Sequence, residues 1–125
     1  MKTTESPFKG KTGIRRIFSA LGYSLDGLDS AWRNEAAFRQ VALLALCGIV
    51  LSRFLSLPVW GRAVIVGSHM ATLIVELLNS AIEAAVDHTS LEHHELAKRA
   101  KDLGSAAQLA SLVNLAAMWG VVLLA

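Results

Sequence analysis

Three apolar stretches dominate this chain and limit what it can become. They run from Val41 to about Trp60 with only Arg53 inside, from Ala63 to about Val86, and from Leu103 to Ala125. Each holds about 20 residues or more, the length a helix rising 1.5 Å per residue needs to cross ~30 Å of hydrocarbon. A soluble three-helix bundle would need a polar outer face on every helix, and the first and third stretches have almost none. Composition agrees. Hydrophobic types make up 54% of the 125 residues and charged types 18%, against about a quarter charged in an average soluble domain. A single cysteine, Cys47, excludes a disulfide scaffold. The length suits one domain, residues 1–125.

The charges fall outside these stretches. Seven of the twelve Lys and Arg precede residue 41, and Lys98, Arg99 and Lys101 form a second cluster. Three crossings put both clusters on one side, and the positive-inside rule makes that side cytoplasmic, with the N-terminus in the cytoplasm. A net charge of +2 is too small to point to nucleic acid. No secretory signal is expected, since the first residues lack an apolar core before a cleavage site. Pro58 and Trp60 are read as the far end of the first span, where an indole sits well at the interface.

Ahead of the first span, the polar residues 1–13 read as a loose tail. From Ile14 the pattern changes: Ile14, Ile17, Phe18, Leu21, Leu25, Leu28 and Trp32 recur at steps of three and four, one stripe of an amphipathic helix. With a span following directly, the helix over 14–38 is expected to lie in the membrane surface, bent or interrupted at Gly22 and Gly27. The fold expected is therefore all-α: a surface helix and three transmembrane helices at 41–60, 63–86 and 103–125.

The second span carries Glu76, Asn79, Glu83 and, at its end, Asp87. At 100° per residue, Glu83 and Asp87 lie about 20° to either side of Glu76 and Asn79 about 60° off, so all four share a stripe about 16 Å long. A carboxylate in hydrocarbon costs at least ~2.5 kcal/mol, so acids on one stripe should face protein, water or bound cations, and such residues mark function. The bland reading is a polar seam between helices. His69 falls on the same stripe but deeper, where packing or hydrogen bonding is the expected role. Glu35 and Arg39 are four apart before the first span. They suit either an ion pair or a further carboxylate at the level of Glu83. In the second loop, His94-Glu95-Leu96-Ala97 begins like a zinc-protease motif, but Lys98 stands where the second histidine belongs. A solvated, partly helical loop is the simpler reading, with metal ligation by His88, His93 and His94 weakly supported. No Walker A or kinase glycine-rich signature is present.

Three runs carry a family resemblance: Ala31-Trp32-Arg33-Asn34-Glu35-Ala36-Ala37-Phe38-Arg39-Gln40; Glu76-Leu77-Leu78-Asn79-Ser80-Ala81-Ile82-Glu83-Ala84-Ala85-Val86-Asp87; and Ala100-Lys101-Asp102-Leu103-Gly104-Ser105-Ala106-Ala107. In this order they resemble the small integral-membrane diacylglycerol kinases of bacteria, a family that also includes undecaprenol kinases. The resemblance implies an ATP- and magnesium-dependent lipid kinase that makes phosphatidic acid from diacylglycerol and works as a homotrimer with shared sites. It implies Glu76 as catalytic base with Asn79 supporting it, and Glu35 and Glu83 as ligands of Mg²⁺. Lys101 and Arg16 become phosphate contacts; Tyr23, Asp87 and Asp102 become nucleotide-side or supporting positions. Competing readings are an undecaprenol kinase, a small proton-coupled exporter, which explains Glu76 but not Glu35, Glu83 and Lys101, and a non-catalytic membrane adaptor.

Overall fold

The computed structural model describes residues 12–89 and 94–125. The tail expected over 1–13 therefore lies outside the described residues except for Thr12 and Gly13, as does His93. Regular structure among the described residues is helical throughout: α1 (Ile14–Asn34), α2 (Ala36–Phe54), α3 (Val59–Thr89) and α4 (Glu95–Leu124). The last three are long and apolar enough to cross a membrane.

In α1 the apolar stripe is uncovered. Ile14, Ile17, Phe18, Leu21, Leu25, Leu28 and Trp32 are each at least 45% exposed, and Ala31 is its one buried residue. An apolar face that no protein covers, joined directly to a spanning helix, suits the membrane surface. Gly22 and Gly27 do not interrupt it; the helix runs through both.

The surface helix ends earlier than periodicity predicts, at Asn34 instead of 38. Glu35 alone adopts extended backbone (φ −116°, ψ 102°) and is at once the C-cap of α1 and the N-cap of α2. The cause lies in the next helix. Arg39 Nη1 donates to the carbonyls of Trp32 (2.7 Å) and Arg33 (3.3 Å), which the helix end leaves unpaired. Arg39 thus caps α1 and forms no ion pair with Glu35.

At the other end of α2, the helix stops at Phe54; Trp60 belongs to the start of α3, with Pro58 just before that helix, and neither lies in α2. Arg62 closes this turn, donating from Nε to the Ser52 carbonyl at 3.1 Å and from Nη2 to that of Leu55 at 3.0 Å. The third spanning helix, α4, begins at Glu95, well before the expected 103.

The seam between helices mixes small, polar and a few apolar residues, and most of the large apolar side chains face outward. The buried residues of α2 are Phe38, Val41, Ala45, Gly48 and Ser52, at alternating steps of three and four. Those of α3 are Gly61, Ile65, Ser68, His69, Thr72 and Glu76, and those of α4 are Gly104, Gln108, Leu115 and Val122. Lipid is as apolar as leucine, so helix association in membranes relies on close approach and interhelical hydrogen bonds. Gly48 shows the first: a Cβ there would collide with the His69 imidazole. His69 shows the second: its Nε2 accepts a hydrogen bond from Trp119 Nε1 at 3.1 Å, joining α3 to α4 in the role expected for it.

Candidate active site

Helix α3 has 31 residues and is about 46 Å long, well beyond the ~30 Å hydrocarbon core. About twenty residues from Val59, a full crossing, end near Asn79. Glu76 therefore falls at the edge of the span-length stretch, and Glu83 and Asp87 lie past it. Two crossings, by α2 and α3, bring this end of α3 to the same side as α1 and the Glu35 hinge.

Glu76 is 4% exposed. It lies on the buried seam of α3, one turn after Thr72, whose carbonyl takes the Gln108 amide of α4, and the charges of Glu83 and Glu35 act on it. Glu83 continues the same stripe, half-buried. Glu35 reaches the cluster from the hinge. It lines a groove of about 520 Å³ between α1 and α3, together with Ser24, Ala31, Leu77, Ser80 and Ala84.

Asn79 sits on the backbone of α4 opposite Gly104. A Cβ at Gly104 would overlap the Asn79 amide oxygen. That oxygen is buried, and among the described residues it accepts no hydrogen bond. A buried acceptor left unpaired is costly, and this one lies one turn from Glu76.

Past the membrane edge, Lys101 Nζ meets Asp87 Oδ1 at 2.6 Å and ties α4 to α3. The charge of Lys101 also reaches Glu83. The structure thus brings together Glu35, Glu76, Asn79 and Glu83, with Asp87 and Lys101 beside them. It does not bring in the other three expected residues. Asp102 is exposed and pairs with Lys98 within its own helix at 2.6 Å. Arg16 and Tyr23 are exposed on α1, and Arg16 makes no ion pair with these acids among the described residues. His88 and His94 are exposed too, and no group of three His, Cys, Asp or Glu closes around a point that could hold a metal among the described residues.

Two site residues were missed from sequence, Gln108 and Gly104. Their signal was present: in α4, Gly104, Gln108, Leu115 and Val122 follow steps of four and seven, one seam of a helix. Gln108 is the long polar side chain on that seam.

The acids lean on one another electrostatically, and neither Glu35 nor Glu83 is ion-paired to a basic side chain among the described residues. Carboxylate oxygens are the donors that Mg²⁺ prefers. Glu35 and Glu83 offer oxygens of the kind a hard divalent cation takes, without closing around one point among the described residues.

The sequence matches the family model described as prokaryotic diacylglycerol kinase over residues 22–123. This chain belongs to the prokaryotic diacylglycerol kinase family. A diacylglycerol kinase of Pseudomonas aeruginosa PAO1 is 51% identical over 119 residues, covering 95% of this chain and 97% of the relative. One of Helicobacter pylori strain 26695 is 47% identical over 125 residues, 100% of this chain and 97% of the relative. One of Escherichia coli K12 is 46% identical over 112 residues, 90% and 92%. The diacylglycerol kinase family match covers α2, α3, nearly all of α4 and most of α1, so every acid of the cluster falls within it.

Proposed function

We propose that this protein transfers the γ-phosphoryl group of ATP to the primary hydroxyl of diacylglycerol, giving phosphatidic acid and ADP, at the inner face of a bacterial cytoplasmic membrane. The observation that carries this reading is the stripe of acids on α3. It begins buried at the edge of the apolar layer, where a lipid hydroxyl sits, and ends outside it, where a nucleotide is soluble. Membership of the family and the shared name of the relatives support the reaction and the lipid. They lend nothing to the exporter and adaptor readings.

Phosphoryl transfer asks a protein for positioning and charge neutralisation more than for covalent chemistry. Glu76 is placed to take the proton from the lipid hydroxyl as its oxygen attacks the γ-phosphorus and ADP departs. Asn79, with its free amide oxygen, supports that base. Glu35 and Glu83 would hold Mg²⁺, which when bound neutralises the β- and γ-phosphates. Lys101 and Arg16 serve as phosphate contacts, with Lys101 sharing its ammonium between Asp87 and the nucleotide. Tyr23, Asp87 and Asp102 fall to the nucleotide side. Arg16 and Tyr23 are displayed on α1, so engaging a nucleotide asks them to close over it.

One chain leaves the cluster open, with Glu35 and Glu83 half-exposed. Large apolar side chains such as Leu43, Leu46, Val113 and Val121 face outward on α2 and α4. A homotrimer with shared sites would cover both. The basic clusters orient the N-terminus to the cytoplasm.

The test is phosphate transfer from γ-labelled ATP by purified protein in mixed micelles holding diacylglycerol, undecaprenol or neither. Label is expected in phosphatidic acid, and chelation of Mg²⁺ should stop the transfer. Label found only in undecaprenyl phosphate would replace the substrate. ATP consumption that ignores added lipid would overturn the lipid-kinase reading.

A further inference from the structure

Among the described residues of α4, Gln108 is the one buried polar side chain, and no role in the reaction has been given to it so far. The two ends of its amide have different partners. The Ser111 hydroxyl, one turn along, donates to Gln108 Oε1 at 2.6 Å and to the Gln108 backbone carbonyl at 2.8 Å. With Oε1 held, Nε2 is turned toward α3, where it donates to the Thr72 carbonyl at 3.5 Å. That carbonyl lies one helical turn before Glu76, so the amide enters α3 at the turn that carries the base. Thr72, Glu76 and Gln108 are 1%, 4% and 9% exposed, so little water can compete for these groups. An interhelical hydrogen bond in so dry a place fixes the register of α4 against the turn of α3 that bears Glu76.

We propose that Gln108, oriented by Ser111, is a positioning residue for phosphoryl transfer: its amide, bonded to the Thr72 carbonyl, fixes the turn of α3 that carries Glu76 and so the aim of that carboxylate at the lipid hydroxyl. The inference rests on the reading of Glu76 as the base. It concerns the chemical step and leaves binding of ATP and lipid alone.

The experiment is steady-state kinetics of full-length protein in diacylglycerol mixed micelles, comparing Gln108→Met, Ser111→Ala, Ser111→Thr and the Gln108→Met/Ser111→Ala double variant. Methionine keeps the length and bulk of glutamine and removes the amide. Gln108→Met should lower kcat about tenfold with KM for ATP and diacylglycerol unchanged, about the size of one lost buried hydrogen bond. Ser111→Ala should lower kcat about threefold and add nothing to the double variant, because Ser111 acts only through Gln108. Ser111→Thr, which keeps the hydroxyl, should restore kcat. Normal kcat in Gln108→Met overturns the proposal, as do losses that multiply in the double variant or KM values that move with kcat. If Gln108→Met does not fold, normal kcat in Ser111→Ala overturns it equally. An active Glu76→Gln removes the base reading itself, whereas an inactive Glu76→Gln beside a fully active Gln108→Met removes this inference alone.

Discussion

At the scale of the residue, Glu76 and Asn79 carry the sharpest consequences. Glu76→Gln keeps the shape of the side chain and removes its ability to accept a proton. Turnover is expected to fall to background while ATP binding, measured by equilibrium titration, persists; turnover at the normal rate would end the assignment. Gly104 sets the position of Asn79 from the opposite helix. Gly104→Ala would drive a methyl into the Asn79 amide oxygen. Overpacking of this kind costs about 1–3 kcal/mol. The variant should lose at least tenfold in kcat, because the displaced amide sits one turn from the base. Activity equal to wild type in Gly104→Ala would show that the position of Asn79 has no bearing on the reaction.

At the scale of the element, helices were easier to foresee than their ends. The apolar stretches and the stripe from Ile14 to Trp32 are properties of single segments, so hydropathy and a 3.6-residue period reveal them. The break at Glu35 is different. It depends on Arg39 reaching back from α2 to the carbonyls of Trp32 and Arg33, and no local pattern marks it. The turn after Phe54 likewise depends on Arg62 in the following helix, which is why Trp60 was assigned to the wrong span. The candidate site divides in the same way. Glu76, Asn79 and Glu83 share one helix and could be aligned by rotation alone. Gln108 and Gly104 matter through their register against α3, and a sequence does not display the register between two helices. The close approach of α2 to α3 gives an element-scale test. Gly48→Ala would press a methyl against the His69 ring and disturb the hydrogen bond from Trp119. We expect a loss of about 1–3 kcal/mol in a reversible unfolding titration in detergent. Unchanged stability would mean that α2 does not rest on His69.

At the scale of the whole molecule, the arrangement joins two solvents. A surface helix with an uncovered apolar face leads through the Glu35 hinge into a bundle whose inner seam carries polar residues. That seam runs from His69 through Glu76 to Glu83 and Asp87, out of the apolar layer. The hinge sets Glu35 on the groove beside α3, and the proposed site asks a divalent cation to join it to Glu83. The most direct test is a crystal structure of the protein with a non-hydrolysable ATP analogue and Mn²⁺, located by anomalous scattering. The account predicts a Mn²⁺ peak bound by Glu35, Glu83 and the phosphates, with Glu76 facing the γ-phosphorus. A peak held by other residues, or the three carboxylates turned toward separate surfaces, would contradict it.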